Sequence, residues 1–159
     1  MALPNSSGVI VDPGAHAEEI LELVAKHGLT IEKIVNTHGH FDHIHDAIPL
    51  AKKFKAKVVG IYETCAWLTS KGVENCSGMN KGGTIQVGAV KVTMTQALHS
   101  SSIAEEDGRT VYGGEPAGYV IHFEDGRRAY FSGDTNVFSD MALIRELYEP
   151  ELAFLSIGD

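Results

Sequence analysis

Four of the eight histidines, His38, His40, His43 and His45, fall within the stretch Thr37-His38-Gly39-His40-Phe41-Asp42-His43-Ile44-His45. Imidazole and carboxylate are the ligands that zinc and similar divalent ions take from proteins. In an extended loop, side chains two apart point to one side, so His38 and His40 can hold one ion. Once the chain turns, Asp42 and His43 offer a second N/O pair. Gly39 is expected to let the backbone pass close to the site with no side chain in the way. Two histidines at i, i+2 would read as a solvated loop. H-x-H-x-D-H between a strand and a helix reads as a metal site.

Other polar clusters carry less. His45 falls on the first turn of a helix and is expected to face solvent or to back the site. His16, His27 and His122 read as ordinary surface or strand histidines. Ser100, Ser101 and Ser102 lack the GxSxG surroundings of a nucleophilic serine, and read as a turn packed behind the metal site. For Tyr112-Gly113-Gly114 a substrate contact and a flexible loop both stay open.

The pattern along the chain says what must position these groups. Gly8–Val11 is a short apolar strand closed by Asp12-Pro13-Gly14. A helix is expected from Ala15 to His27, with Ile20, Leu23, Val24 and His27 on one stripe and Gly28 at its C-terminus. Ile31–Asn36 is a strand running into the histidine cluster. Ala47, Leu50, Ala51 and Phe54 mark a second helix, Lys57–Ile61 a third strand, and Glu63–Ser70 a short helix anchored by Trp67 and Leu68. This alternation predicts an α/β architecture. The second half changes to hairpins. Thr84–Val87 and Val90–Met94 turn at Gly88-Ala89, and Tyr119–Phe123 and Ala129–Phe131 turn at residues 124–127. Residues 100–117 read as a long loop, 138–148 as a helix with Phe138, Met141, Ile144 and Tyr148 on one stripe, and Leu152–Ile157 as a last strand.

Composition narrows the class. The chain has 159 residues, 43% hydrophobic, with 13 Lys+Arg against 21 Asp+Glu for a net charge of −8. The length suits one domain, 1–159, with no repeat or linker dividing it. The negative charge and scattered Lys and Arg argue against nucleic acid or an anionic membrane as partner. No apolar run approaches the roughly 20 residues of a membrane span, and the opening Met-Ala-Leu-Pro-Asn-Ser-Ser-Gly lacks the pattern of an export signal. A cytoplasmic protein is expected. Cys65 and Cys76 match no CxxC motif and read as reduced, partly buried thiols.

H-x-H-x-D-H in this setting resembles the metallo-β-lactamase superfamily. Three further phrases match in family order: Ala97-Leu98-His99-Ser100-Ser101-Ser102, Phe131-Ser132-Gly133-Asp134-Thr135, and Asp12 in Val11-Asp12-Pro13-Gly14. Residues 8–48 look most like the glyoxalase II-like branch. Residues 75–159 look closer to a branch known simply as metal-dependent hydrolases. The resemblance implies an αββα sandwich, incomplete relative to the family. The family's opening strand pair is reduced here to Gly8–Val11, and its terminal Gly-x-His ligand would follow Gly158-Asp159.

Carried over residue by residue, the resemblance assigns His38, His40 and His99 to a first metal, Asp134 to a bridge, and Asp42 and His43 to a second metal. Asp12 would support the histidine loop without binding metal. The ions would be zinc first, with manganese and iron as alternatives. A hydroxide held between them, oriented by Asp42 as catalytic residue, would attack an ester, thioester, amide or phosphoester of a small-molecule substrate. A glyoxalase II-like thioesterase is one option; a lactam or a nucleic acid has less to recommend it. The alternative is a metal-binding fragment with weak catalysis or none, completed by homodimerisation through an unprotected edge strand.

Overall fold

The computed structural model describes residues 6–157; the opening residues 1–5, read as lacking an export signal, and Gly158-Asp159 lie outside them. The first half forms a parallel sheet of β1 (Ser6–Val11), β2 (Leu29–Val35), β3 (Lys57–Ile61) and β4 (Cys76–Met79), in that spatial order. Parallel neighbours need a crossover between them. Here α1 (Ala17–His27) links β1 to β2, α2 (Phe41–Ile44) and α3 (Ala47–Phe54) link β2 to β3, and α4 (Tyr62–Ser70) links β3 to β4. Right-handed crossovers that always step in one direction leave every helix on one face. Ile31, Ile34 and Val58 on that face are buried against Leu50 and Ala51 of α3 and Leu68 of α4.

The second half contains β5 (Thr84–Val87) and β6 (Val90–Gln96), a small hairpin of β7 (Ser102–Ala104) and β8 (Thr110–Tyr112), then β9 (Ala117–His122), β10 (Arg128–Phe131), α5 (Met141–Tyr148) and β11 (Leu152–Phe154). Five of these strands make a second sheet ordered β11-β10-β9-β6-β5. It is antiparallel except where α5 carries the chain from β10 to the parallel β11. Strand alternation decides its two faces. Val92 and Met94 of β6 and Tyr119 and Ile121 of β9 turn towards Val35, Val59 and Ile61 of the first sheet. Val120 and Tyr130 turn the other way, onto Ile144 of α5. The result is an αββα sandwich, the layering that the resemblance implies.

Several elements differ from the sequence reading. Helix α1 starts at Ala17, and Leu21 packs on the core where Leu23 was expected; Leu23 is solvent-exposed. Residues 100–117 hold the β7–β8 hairpin, pinned by the buried Ile103. Strand β4 was not foreseen. Helix α5 begins at Met141, with Phe138 packing ahead of it. The last strand stops at Phe154, whose ring stacks on Phe131 at 4.6 Å along an exposed edge. Among the described residues, no helix is long and apolar enough to cross a membrane.

Candidate metal centre

Each candidate donor follows the C-terminal end of a strand, and both sheets deliver those ends to one place. Past β2, the Asn36 amide continues the ladder to the Val59 carbonyl (2.9 Å), while the Tyr119 hydroxyl donates to the Asn36 carbonyl (3.0 Å) and the Ala117 amide to the Thr37 carbonyl (3.0 Å). The histidine loop is thus clamped between the sheets. On its other side the Gly14 amide donates to the His43 carbonyl and the Asp46 amide to the Gly14 carbonyl. The segments carrying His99 and Asp134 are joined as well. The Leu98 amide donates to Thr135 Oγ1 (2.8 Å) and the Asn136 amide to the Leu98 carbonyl (3.2 Å).

Two donor groups result, each with its nitrogen and oxygen atoms within 4.8 Å of one another: His38, His40 and His99, and His38, His43 and Asp134. His38 Nε2 and His40 Nδ1 stand 3.0 Å apart. Asp134 Oδ2 lies 3.3 Å from His43 Nε2 and 3.9 Å from His99 Nε2, so one carboxylate oxygen sits between the groups. Asp42 is apart from both. Its side chain is 76% exposed, with Oδ2 3.6 Å from His43 Nε2. An open cleft of about 540 Å³ borders the second group, lined by Asp12, His43, Asp134 and residues 153–156.

The nitrogens that face away from the site have partners of their own. The Thr37 hydroxyl donates to Asp12 Oδ2 (2.6 Å) and therefore accepts from His38 Nδ1 (3.0 Å), which leaves His38 Nε2 as a lone pair facing His40. His43 Nδ1 donates to the same Asp12 Oδ2 (3.0 Å), which frees its Nε2 towards Asp134. Asp12 Oδ1 accepts the Thr37 amide at 2.7 Å. Asp12 holds this position at φ +46°, a left-handed conformation that aspartate tolerates better than most residues.

Electrostatics agree with ligand chemistry. Burial, helped by the neighbouring His43 and His40, pushes His38 down to about 3, so it stays a neutral imidazole. Burial also lowers His40. At His43 burial acts in the same direction, but the Asp12 hydrogen bond and the carboxylates of Asp12, Asp134 and Asp42 outweigh it and raise the imidazole above its ordinary value. Imidazoles converging beside a carboxylate, with His38 and His40 held towards the neutral form, make a donor set that fits a borderline divalent ion.

Of the residues singled out from sequence, His38, His40, His43, His99 and Asp134 come together, Asp42 stands at their rim, and Asp12 lies beneath. His45 turns away to Asp46 and the Phe41 ring. Gly39 has a different reason from the one expected. A β-carbon there would meet Ile103 of the β7–β8 hairpin at 2.6 Å, so the glycine admits the hairpin. Sequence reading missed Thr37, which links Asp12 to His38. The serine cluster does pack on the loop: Ser101 Oγ accepts the Gly39 amide (3.1 Å) and Ser100 Oγ lies 3.2 Å from His40 Nε2.

Residues 9–159 match the model of the beta-lactamase superfamily domain. A UPF0173 metal-dependent hydrolase of Solibacter usitatus is 55% identical over 157 residues, covering 99% of this chain and 67% of that protein. Its counterpart in Rubrobacter xylanophilus is 48% identical, across all of this chain and 66% of that protein. The similarity takes in the opening third, whose motifs alone looked glyoxalase II-like. Igni18, a metallo hydrolase of the archaeon Ignicoccus hospitalis, superposes with a TM-score of 0.68 at 36% identity, over 82% of this chain and 53% of that one. The fold is also that of the metallo-beta-lactamase fold protein YhfI of Bacillus subtilis (TM-score 0.62, 18% identity, 86% of this chain and 55% of that one). The chain spans about two thirds of the length of these curated relatives and about half that of the solved ones. By motif, fold and similarity along its whole length, the chain belongs to the metallo-β-lactamase superfamily, in its branch of metal-dependent hydrolases.

Proposed function

We propose that this chain carries the reaction centre of a metal-dependent hydrolase that cleaves an ester, thioester, amide or phosphoester of a small molecule. The observation that carries the reading is Asp134 Oδ2, set between His43 and His99 where two donor groups adjoin. In this reading His38, His40 and His99 hold one divalent ion, Asp42 and His43 a second, and Asp134 touches both. Zinc suits the imidazoles, with manganese and iron as alternatives. Such ions would acidify water and offset negative charge on the substrate oxygen.

The chain's own groups do the rest. Burial keeps His38 neutral, so its lone pair is available without the loss of a proton. Asp12 holds His43 with Nε2 turned inward. Asp42, exposed at the rim, is placed to orient the attacking water and take its proton. The net charge of −8 favours a small substrate over a polyanion.

The exposure of Asp42 favours a further reading, ion binding without efficient turnover. Its side chain is 76% open to water and stands apart from both donor groups, whereas His38 is fully buried. Native mass spectrometry of protein purified without chelator tests both. Two metals per chain and hydrolysis in an ester, thioester and phosphodiester screen support the enzyme. One metal and no turnover support the binder. Unchanged metal content in His38→Ala/His40→Ala would overturn the ligand assignment.

A further inference from the structure

We infer that Ser100 is a positioning residue for His40: it holds the imidazole so that Nδ1, not Nε2, faces the ion site. The inference rests on the metal-centre reading above and adds to it the group that orients His40.

The candidate ligands are not turned alike. His38 and His43 present Nε2 inward, and their outward Nδ1 atoms are anchored on Thr37 and Asp12. His40 is turned the opposite way, with Nδ1 3.0 Å from His38 Nε2. An imidazole that offers Nδ1 as a lone pair carries its hydrogen on Nε2. A ring anchored on neither side could flip and present the wrong nitrogen, and His40 is the less buried of the two at the start of the motif. The outward Nε2 has a partner, Ser100 Oγ at 3.2 Å. That hydroxyl accepts the Nε2 hydrogen, as metal-bound histidines usually require of a neighbour.

The placement of Ser100 is built rather than incidental. It follows His99 directly, so the loop that supplies one donor also orients another. Its neighbour Ser101 accepts the Gly39 amide, one residue before His40. The Ser101 carbonyl in turn accepts the Gly113 amide at 3.2 Å, which ties this turn to the far end of the β7–β8 hairpin. The two loops therefore cannot slide past one another without breaking the contacts that aim His40.

The experiment is a zinc titration against a chromophoric chelator for the unsubstituted chain, Ser100→Ala and Ser100→Thr. It is paired with two-bond 1H–15N NMR of the histidine rings in the zinc-loaded protein. Expected are a roughly tenfold weaker first zinc in Ser100→Ala, recovery in Ser100→Thr, and a His40 ring whose hydrogen leaves Nε2 only when the hydroxyl is lost. Zinc affinity within twofold of the unsubstituted chain in Ser100→Ala, or an equal loss in Ser100→Thr, overturns the inference. If the unsubstituted chain binds no zinc, the metal-centre reading falls and this inference with it. With zinc bound, a His40 ring that keeps Nδ1 on the ion in Ser100→Ala overturns the positioning role alone.

Discussion

Asp12 and His43 meet at 3.0 Å, Oδ2 to Nδ1, across 31 residues of sequence. The same oxygen receives the Thr37 hydroxyl, which in turn receives His38 Nδ1. One carboxylate at the end of β1 thereby fixes the ring orientation of a histidine in each donor group. This explains why an aspartate that faces no ion site occupies a strained backbone position.

Asp12→Asn separates shape from charge, because asparagine also tolerates a positive φ. The amide nitrogen would then face the Thr37 hydroxyl and His43 Nδ1, setting donor against donor. Zinc affinity at the group containing His43 should fall about 10- to 100-fold. Unfolding free energy should fall by about 1–3 kcal/mol. Chelator competition and urea unfolding check the two separately. A loss of stability with zinc affinity intact would make Asp12 a purely structural residue.

The depressed His38 predicts the acid limb of the metal-free protein. Its folded value of about 3 lies below the ordinary 6.5, so the unfolded chain takes up a proton that the folded one refuses. The stability this represents is complete above pH 6.5 and is lost as pH falls. Between pH 6.5 and 5 the loss is on the order of 2 kcal/mol. His43 is raised and acts in the opposite direction, gaining stability from protonation on acidification. In excess chelator, His43→Asn should therefore lose more stability over this interval than the unsubstituted chain. Equal slopes would contradict the assigned shifts.

The donors were legible because their spacing is local. His38, His40 and His43 sit in one motif, and β3 and α3 follow from short apolar patterns that also match their packing. What was not legible depends on partners distant in sequence. Thr37 looks unremarkable until Asp12 is folded against it. In α1, Leu21 and Leu23 offer two nearly equivalent stripes, and only the docking against the parallel sheet chooses Leu21. The β7–β8 hairpin buries Ile103 fully and little else, so no alternation announces it. Strand β4, Cys-Ser-Gly-Met, has a glycine where a side chain would come within 3.0 Å of the α4 backbone at Tyr62, and that close approach suppresses the apolar signal of a strand.

Gly133 sets the aim of Asp134. It adopts φ +59°, and a β-carbon there would lie 2.8 Å from the Ala117 carbonyl oxygen and 2.9 Å from Thr37 Cβ. Gly133→Ala should cost at least about 2 kcal/mol, strain and overlap combined, and should weaken zinc binding by displacing Asp134. Gly126 has a similar φ of +88° with nothing within 4 Å of the added carbon. Gly126→Ala should therefore cost only about 1 kcal/mol, the conformational part. Thermal unfolding of both variants checks the difference. Equal costs would mean that Gly133 is needed for its φ alone.

Asp134→Asn tests the proposed bridge. Among the described residues the Asp134 carboxylate is paired with the side chains of His43 and His99, so the fold should barely register the change. Turnover of whichever ester or thioester substrate the screen finds should fall about a hundredfold or more, beyond the usual effect of residues outside the ligand set. Unfolding free energy should move by less than about 1 kcal/mol. Comparable losses of activity and stability would assign Asp134 a structural role.

The two cysteines give a prediction independent of the metal centre. Cys65 of α4 is buried and Cys76 of β4 is half-buried; the turn from β3 through α4 sets their thiols beside one another. A hydrogen bond donated by Cys65 stabilises the Cys76 thiolate, so Cys76 falls below its ordinary value while Cys65 rises. The thiolate is the reactive form. At pH 7.5 iodoacetamide should label Cys76 first, and peptide mapping should find Cys65 unmodified until the protein unfolds. Burial also slows Cys76, so the comparison is made within the protein. Cys65→Ala removes the donor and opens space beside Cys76, which should speed access. If labelling of Cys76 nevertheless slows severalfold at pH 7.5 and recovers at pH 9.5, the hydrogen bond controls its reactivity. Faster labelling at both pH values would show that access, not thiolate stabilisation, sets the rate.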